Sequence, residues 1–164
     1  MASTRWQPRR TRVAAVLGFA FAGVLLWPEA LRAIQILTVD TSVVSFSSPS
    51  ATDFDAGYVE KLSANTLTVE SDVDWKLAIS GSVTTWSCSG IECWTSKPRA
   101  DIEWRESLGS YAALTGTAAT VTTGTDTTPG TEDVVVDYRV KLDWTTDAPG
   151  TYDYDFVVFE LSAI

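Results

Sequence analysis

Two stretches of this chain alternate strictly between apolar and polar residues. Residues 67–79, "LTVESDVDWKLAI", place Leu67, Val69, Val73, Trp75, Leu77 and Ile79 on one side and Thr68, Glu70, Asp72, Asp74 and Lys76 on the other. Residues 134–144, "VVVDYRVKLDW", set Val134, Val136, Tyr138, Val140, Leu142 and Trp144 against Asp137, Arg139, Lys141 and Asp143. A period of two with one charged face predicts antiparallel strands that each keep one face in water. Residues 151–163, "TYDYDFVVFELSA", begin the same way, then turn apolar on both sides at "FVVFEL", the mark of a more buried strand or a bulge.

Turn chemistry separates these runs. "TTDAPGTY" holds Asp147 and the pair Pro149–Gly150, so residues 134–144 and 152–161 read as a hairpin. "ISGSV" around Gly81 ends the middle strand, and "IQILTVDTSVVSFSSPS" reads as one or two strands up to Ser47. "DAGYVEKLSA" can form a short helical turn, but no segment has a sustained apolar period of 3.6. Residues 114–133 are mostly Thr, Gly and Ala. They predict a strand over residues 118–122 and then a flexible loop, or alternatively a threonine-rich tip for glycosylation or contact. The sum is an all-β chain, an antiparallel, immunoglobulin-like β-sandwich of about seven to nine strands.

The start of the chain has a different character. "MASTRWQPRRTR" carries four arginines and no acid, an uncharged apolar run fills residues 13–27, and Pro28 and "EALRA" come next. A positive flank, a short apolar core and a small-residue exit are the parts of a secretory signal peptide over residues 1–33, in signal-helix form. The run is short for a membrane span, which needs about 20 residues. "RRTRVA" has paired arginines, but the residues after them fit a twin-arginine signal poorly, so the general secretion route is expected. Residues 34–164 then form a single domain, exported to the cell surface, the periplasm or the medium, with no membrane attachment after cleavage.

Charge narrows the partners. The whole chain has 12 basic and 21 acidic residues. Residues 1–33 hold five of the bases and one of the acids, leaving seven against twenty and a net charge of −13 for the remainder. Such a surface repels nucleic acid and anionic lipid. It suits a soluble exported protein or one that binds cations.

The two cysteines, Cys88 and Cys93, lie in "TTWSCSGIECWTS". The chain has no histidine, so a structural zinc site would have to recruit carboxylates, and the spacing is not that of a thioredoxin motif. In an oxidising compartment the expectation is a disulfide that pins a loop between strands near Trp86 and Trp94.

Three D-x-D pairs stand out: Asp53/Asp55, Asp72/Asp74 and Asp153/Asp155. On a strand each pair shares a face, where it can hold calcium, act as a glycosidase acid/base pair, or simply keep a solvent face charged. Asp72/Asp74 and Asp153/Asp155 alternate with core residues and read as solvent face. Asp53/Asp55 is the calcium candidate, although "DFDAG" departs from a calcium loop at Gly57 and Ala64. Trp75 and Trp144 lie on apolar strand faces and are expected in the core. Trp86, Trp94 and Trp104 lie in less regular sequence, where exposed rings can stack on sugars. The lack of histidine rules out Ser-His-Asp and Cys-His catalysis, and no nucleophile elbow, phosphate loop or H-E-x-x-H occurs.

"APGTYDYDFVVFELSA" and "TLTVESDVDWKL", with Trp75-Lys76-Leu77, resemble bacterial extracytoplasmic β-sandwich surface domains of the pilin-like and WxL-like kinds. There is no second W-x-L near the C-terminus. The resemblance implies a noncatalytic structural or adhesive role, not an enzyme and without a cofactor. Two functions are then open. One is a surface or fibre subunit that partners itself, or other surface subunits, by adding "IQILTVDTSVVSF" to a neighbour's sheet. The other is a module that binds glycans through Trp86, Trp94 and Trp104, or calcium through Asp53 and Asp55.

Overall fold

A computed structural model describes residues 33–90 and 92–164, and the expected signal helix lies outside them. Ten strands are found among the described residues: β1 (Gln35–Val39), β2 (Tyr58–Ser71), β3 (Trp75–Gly81), β4 (Ser87–Ser89), β5 (Ile102–Glu106), β6 (Ala112–Ala113), β7 (Ala119–Gly124), β8 (Glu132–Lys141), β9 (Thr151–Asp153) and β10 (Val157–Ala163). Three of these have only two or three residues, which leaves seven longer ones. A short helix, α1 (Ala51–Ala56), precedes β2, and a 3-10 turn (Arg99–Asp101) precedes β5.

All pairings are antiparallel. One sheet has the order β1-β2-β8-β5-β6, a second has β10-β3-β7, and β4 and β9 form a small ladder of their own. The all-β, sandwich-like fold expected from the alternation is therefore present. Its core gathers Leu67, Val69, Trp75, Leu77, Ile79, Val134, Val136, Tyr138 and Val140, the inward positions of the two alternating stretches, with Trp86, Ile102, Trp104 and Leu114.

Several local expectations are corrected. Residues 67–79 are not one strand. β2 ends at Ser71, and the chain crosses to the other sheet before Trp75. Ser71 is fully buried at this crossing, and its hydroxyl donates to the Val73 carbonyl at 2.8 Å. The C-terminal hairpin does not form either. β8 pairs with β2 and β5, whereas β9 pairs with β4 and β10 pairs with β3. Two features divert the chain between β9 and β10. The Tyr154 hydroxyl donates to the Val83 carbonyl at 2.7 Å, and Phe156 adopts a left-handed φ of 69°.

The predicted helical turn lies earlier than expected. Residues 51–56 form it, capped by Ser50, and Gly57 at φ 80° ends it. Of residues 34–47, only β1 is strand. The threonine-rich segment supplies β7, close to the predicted position. The last residue of β7 is Gly124, whose backbone lies against the Trp75 ring, where an added Cβ would stand 2.3 Å from an indole carbon.

Candidate functional site

Glu60, Glu103, Arg105, Asp137, Arg139 and Lys141 alternate with core positions on β2, β5 and β8, and so share the outer face of the larger sheet. Their charges are paired there. Arg105 Nε donates to Asp137 at 2.8 Å, Arg139 Nε donates to Glu103 at 2.5 Å, and Lys141 Nζ lies 3.0 Å from Glu103. The Arg139 guanidinium sits between two aromatic rings, 4.3 Å from the Tyr111 centroid and 4.9 Å from that of Tyr58. Arg105 stacks on Tyr111 at 4.4 Å. Burial and a hydrogen bond to Glu60 push the Tyr111 phenol well above its usual range, so it remains a donor.

At one end of this face is a cleft of about 460 Å³. Its walls are Gly57 and Tyr58 from β2 and the turn before it, Asp101 from the 3-10 turn, Glu103 from β5, Arg139 and Lys141 from β8, and Trp94, Leu142, Asp143, Thr146 and Asp147 from irregular chain. A buried lysine holds those irregular pieces together. Lys97 is 2% exposed, and its ammonium meets the Lys141 carbonyl at 2.9 Å, Asp147 at 2.6 Å and Asp101 at 3.2 Å. All three donors are thus engaged, as a buried ammonium requires.

The disulfide braces the same region. Cys88 and Cys93 are joined, with their Cα atoms 6.1 Å apart. Cys88 pairs with Tyr152 in the β4–β9 ladder. The Tyr152 hydroxyl donates to the Ala148 carbonyl and accepts from the Trp94 amide. Gly150 packs so closely that an added Cβ would stand 2.7 Å from the Cys93 Cβ. This explains the glycine in "APGTY" by close approach.

The tryptophans depart from expectation. Trp86 and Trp104 are 8% and 6% exposed, core residues that cannot present a ring to solvent. Trp86 donates from its indole to the Pro98 carbonyl at 3.1 Å and meets Tyr154 edge-on. Only Trp94 of the three lines the cleft, with the Lys97 ammonium 5.6 Å from its ring centroid. Trp75 is fully buried, as expected. Trp144, expected in the core, is 61% exposed because β8 stops at Lys141 and the chain turns out before it. Its ring stacks on Phe54 of α1 with centroids 4.4 Å apart, and its N–H donates to Asp55 at 3.1 Å.

The calcium candidates have other partners. Asp53 accepts from the Ser50 backbone N–H and hydroxyl, both at 2.7 Å, as half of a capping box. These bonds hold its carboxyl below the usual range. Asp55 receives the Trp144 indole. Asp72 accepts the Ile34 amide at 2.8 Å. No cluster of three or more His, Cys, Asp or Glu side chains placed to hold a metal ion occurs among the described residues, and no described helix is long and apolar enough to cross a membrane.

The fold defines an all-β sandwich with a disulfide-braced end and a charge-paired, aromatic-flanked cleft. No known family model matches this chain, and no curated protein matches it.

Proposed function

We propose that this chain is an exported, noncatalytic structural or adhesive protein of the cell surface, one that assembles by passing residues 34–46 from each copy to the sheet of the next. The observation that carries this reading is the way those residues sit on the domain. β1 is an edge strand held by a ladder of five residue pairs to β2. Leu37, Val44 and Phe46 pack against the core, yet no residue from 34 to 46 is fully buried. Exposed residues 47–50 then lead to the start of α1. Such a segment can leave as a unit and make the same ladder and the same apolar contacts on a neighbour. Only the hinge changes conformation, which is the low-cost geometry of strand exchange. The signal-like start and the disulfide both suit an oxidising, extracytoplasmic setting.

The test is light scattering on the exported protein after size-exclusion chromatography. The expected result is a concentration-dependent ladder of oligomers that collapses when residues 34–46 are deleted. A second variant keeps the domain complete. Thr38 and Thr68 face each other across the β1–β2 ladder, so Thr38→Cys with Thr68→Cys locks β1 at home. It should be monomeric when oxidised and assemble on selective reduction of that bond. A clean monomer at every concentration in the unlocked protein would sink strand exchange.

A further inference from the structure

A large aromatic ring in water is unfavourable, and folding usually removes it. Trp144 is 61% exposed, yet it is held in place from two sides. Phe54 stacks beneath it at 4.4 Å, and Asp55 accepts its N–H at 3.1 Å. One face of the indole is therefore fixed and presented outward, with little rotational freedom left to lose on binding. Trp144 directly follows the cleft-lining residue Asp143, and α1 runs into Gly57 and Tyr58 of the same cleft. The oriented ring is thus tied through both of its chain neighbourhoods to the cleft wall, although it is not itself part of that wall.

We propose that this cleft binds a neutral saccharide, with Trp144 stacking on one sugar ring while Glu103, Arg139 and Lys141 meet hydroxyl groups within. A pyranose has one face of C–H groups, which suits the electron-rich face of an indole. Its rim of hydroxyls both donates and accepts. Each partner in the Glu103–Arg139–Lys141 group still has hydrogen-bonding capacity beyond its ion pair, donors on the cations and lone pairs on the carboxylate.

Charge excludes an anionic ligand. The cleft's four carboxylates, Asp101, Glu103, Asp143 and Asp147, outnumber Arg139, Lys141 and the buried Lys97, so no uncompensated cation is left for an anion. A nucleobase could stack on Trp144, but its phosphates would meet an acidic surface. An apolar peptide side chain would find one aliphatic side chain in the walls, that of Leu142. The cleft's volume, about 460 Å³, falls in the range of small-molecule sites. The inference is independent of strand exchange, since a monomer or a polymer can carry the cleft.

The test takes the exported protein against immobilised neutral oligosaccharides, namely β-glucans, mannans and chitooligosaccharides, followed by calorimetric titration of the tightest binder. At least one should bind, with an affinity that hardly changes between low and high salt. Trp144→Ala should weaken it about tenfold or more. Asp55→Ala, which frees the indole without removing it, should weaken it by a smaller factor, which a purely structural aspartate would not do. Both positions are exposed, and an unchanged melting temperature confirms that each variant is folded. The proposal is overturned if nothing in the panel binds, if binding is lost in salt, or if Trp144→Ala leaves the affinity intact.

Discussion

The irregular chain at the cleft and the irregular chain after β1 are secured in opposite ways. At the cleft, a buried ammonium with three partners and a disulfide tie together residues from three separate parts of the sequence. Along residues 34–46, five ladder pairs and three half-buried apolar side chains do the work, with side-chain ties from the Asn65 amide to the Thr41 carbonyl at 2.9 Å and from the Ile34 amide to Asp72 at 2.8 Å. A buried charge tolerates no rearrangement, because losing a partner leaves it uncompensated. An edge ladder and apolar contacts can re-form on an identical surface elsewhere. The first end is held by contacts that cannot be replaced elsewhere, and the second by contacts that a like surface can supply.

The largest expected effect breaks the anchored end. Lys97→Met removes the ammonium and leaves Asp147, whose side chain is 6% exposed, without its cation. Breaking a buried pair by removing one partner costs about 3–5 kcal/mol. Denaturant unfolding should show a loss of that order, and a change near zero would mean that the ammonium is not what anchors the cleft. The disulfide comes next. Cys88→Ser with Cys93→Ser opens a short loop and should cost roughly 2 kcal/mol by the loop-entropy model. It should leave hydrogen exchange at β1 unaltered, because that strand opens locally. Faster exchange at β1 in this variant would show that the two ends are coupled and erase the contrast between them.

How much of this is legible in the sequence depends on what each residue's placement rests on. The disulfide is readable because local chemistry settles it: two cysteines, no histidine and an unsuitable redox spacing. Leu67, Val69, Val134 and Val136 are readable as core because alternation reports which face a strand buries. Alternation does not report where a strand stops. That is why Trp75, beyond a sheet crossing, keeps its buried face, whereas Trp144, beyond the end of β8, loses it. The expected hairpin fails for a similar reason. A proline–glycine turn shows that the chain turns, not which sheet it joins next. The cleft is the least readable part. Tyr58, Trp94, Glu103, Arg139 and Asp147 come together only through strand order, and Lys97 in "TSKPRAD" has no local signature of burial.

The smallest expected effect uses pH to separate the two ends. Glu103 is 8% exposed on the outer face of β5. Burial alone would push its carboxyl up, but hydrogen bonds from Lys141 and Arg139, and the positive charges of both, outweigh this and hold it below its ordinary 4.5. A depressed native value means that folding favours the ionised form. The stabilisation is therefore complete above about pH 4.5 and is lost as pH falls through the lower native value. Unfolding midpoints should decline across that window, and Glu103→Gln, which has no charge to lose, should decline less steeply while starting lower at neutral pH. On acidification, amide protection should fall in β5 and β8, where Glu103, Arg139 and Lys141 reside, before it falls at β1, next to which Asp40 is the acid held low by bonds from β2. Parallel acid limbs for the wild type and Glu103→Gln would show that these ion pairs do not stabilise the face that walls the cleft. Loss of protection at β1 first would place the acid-sensitive contacts at the β1 end instead.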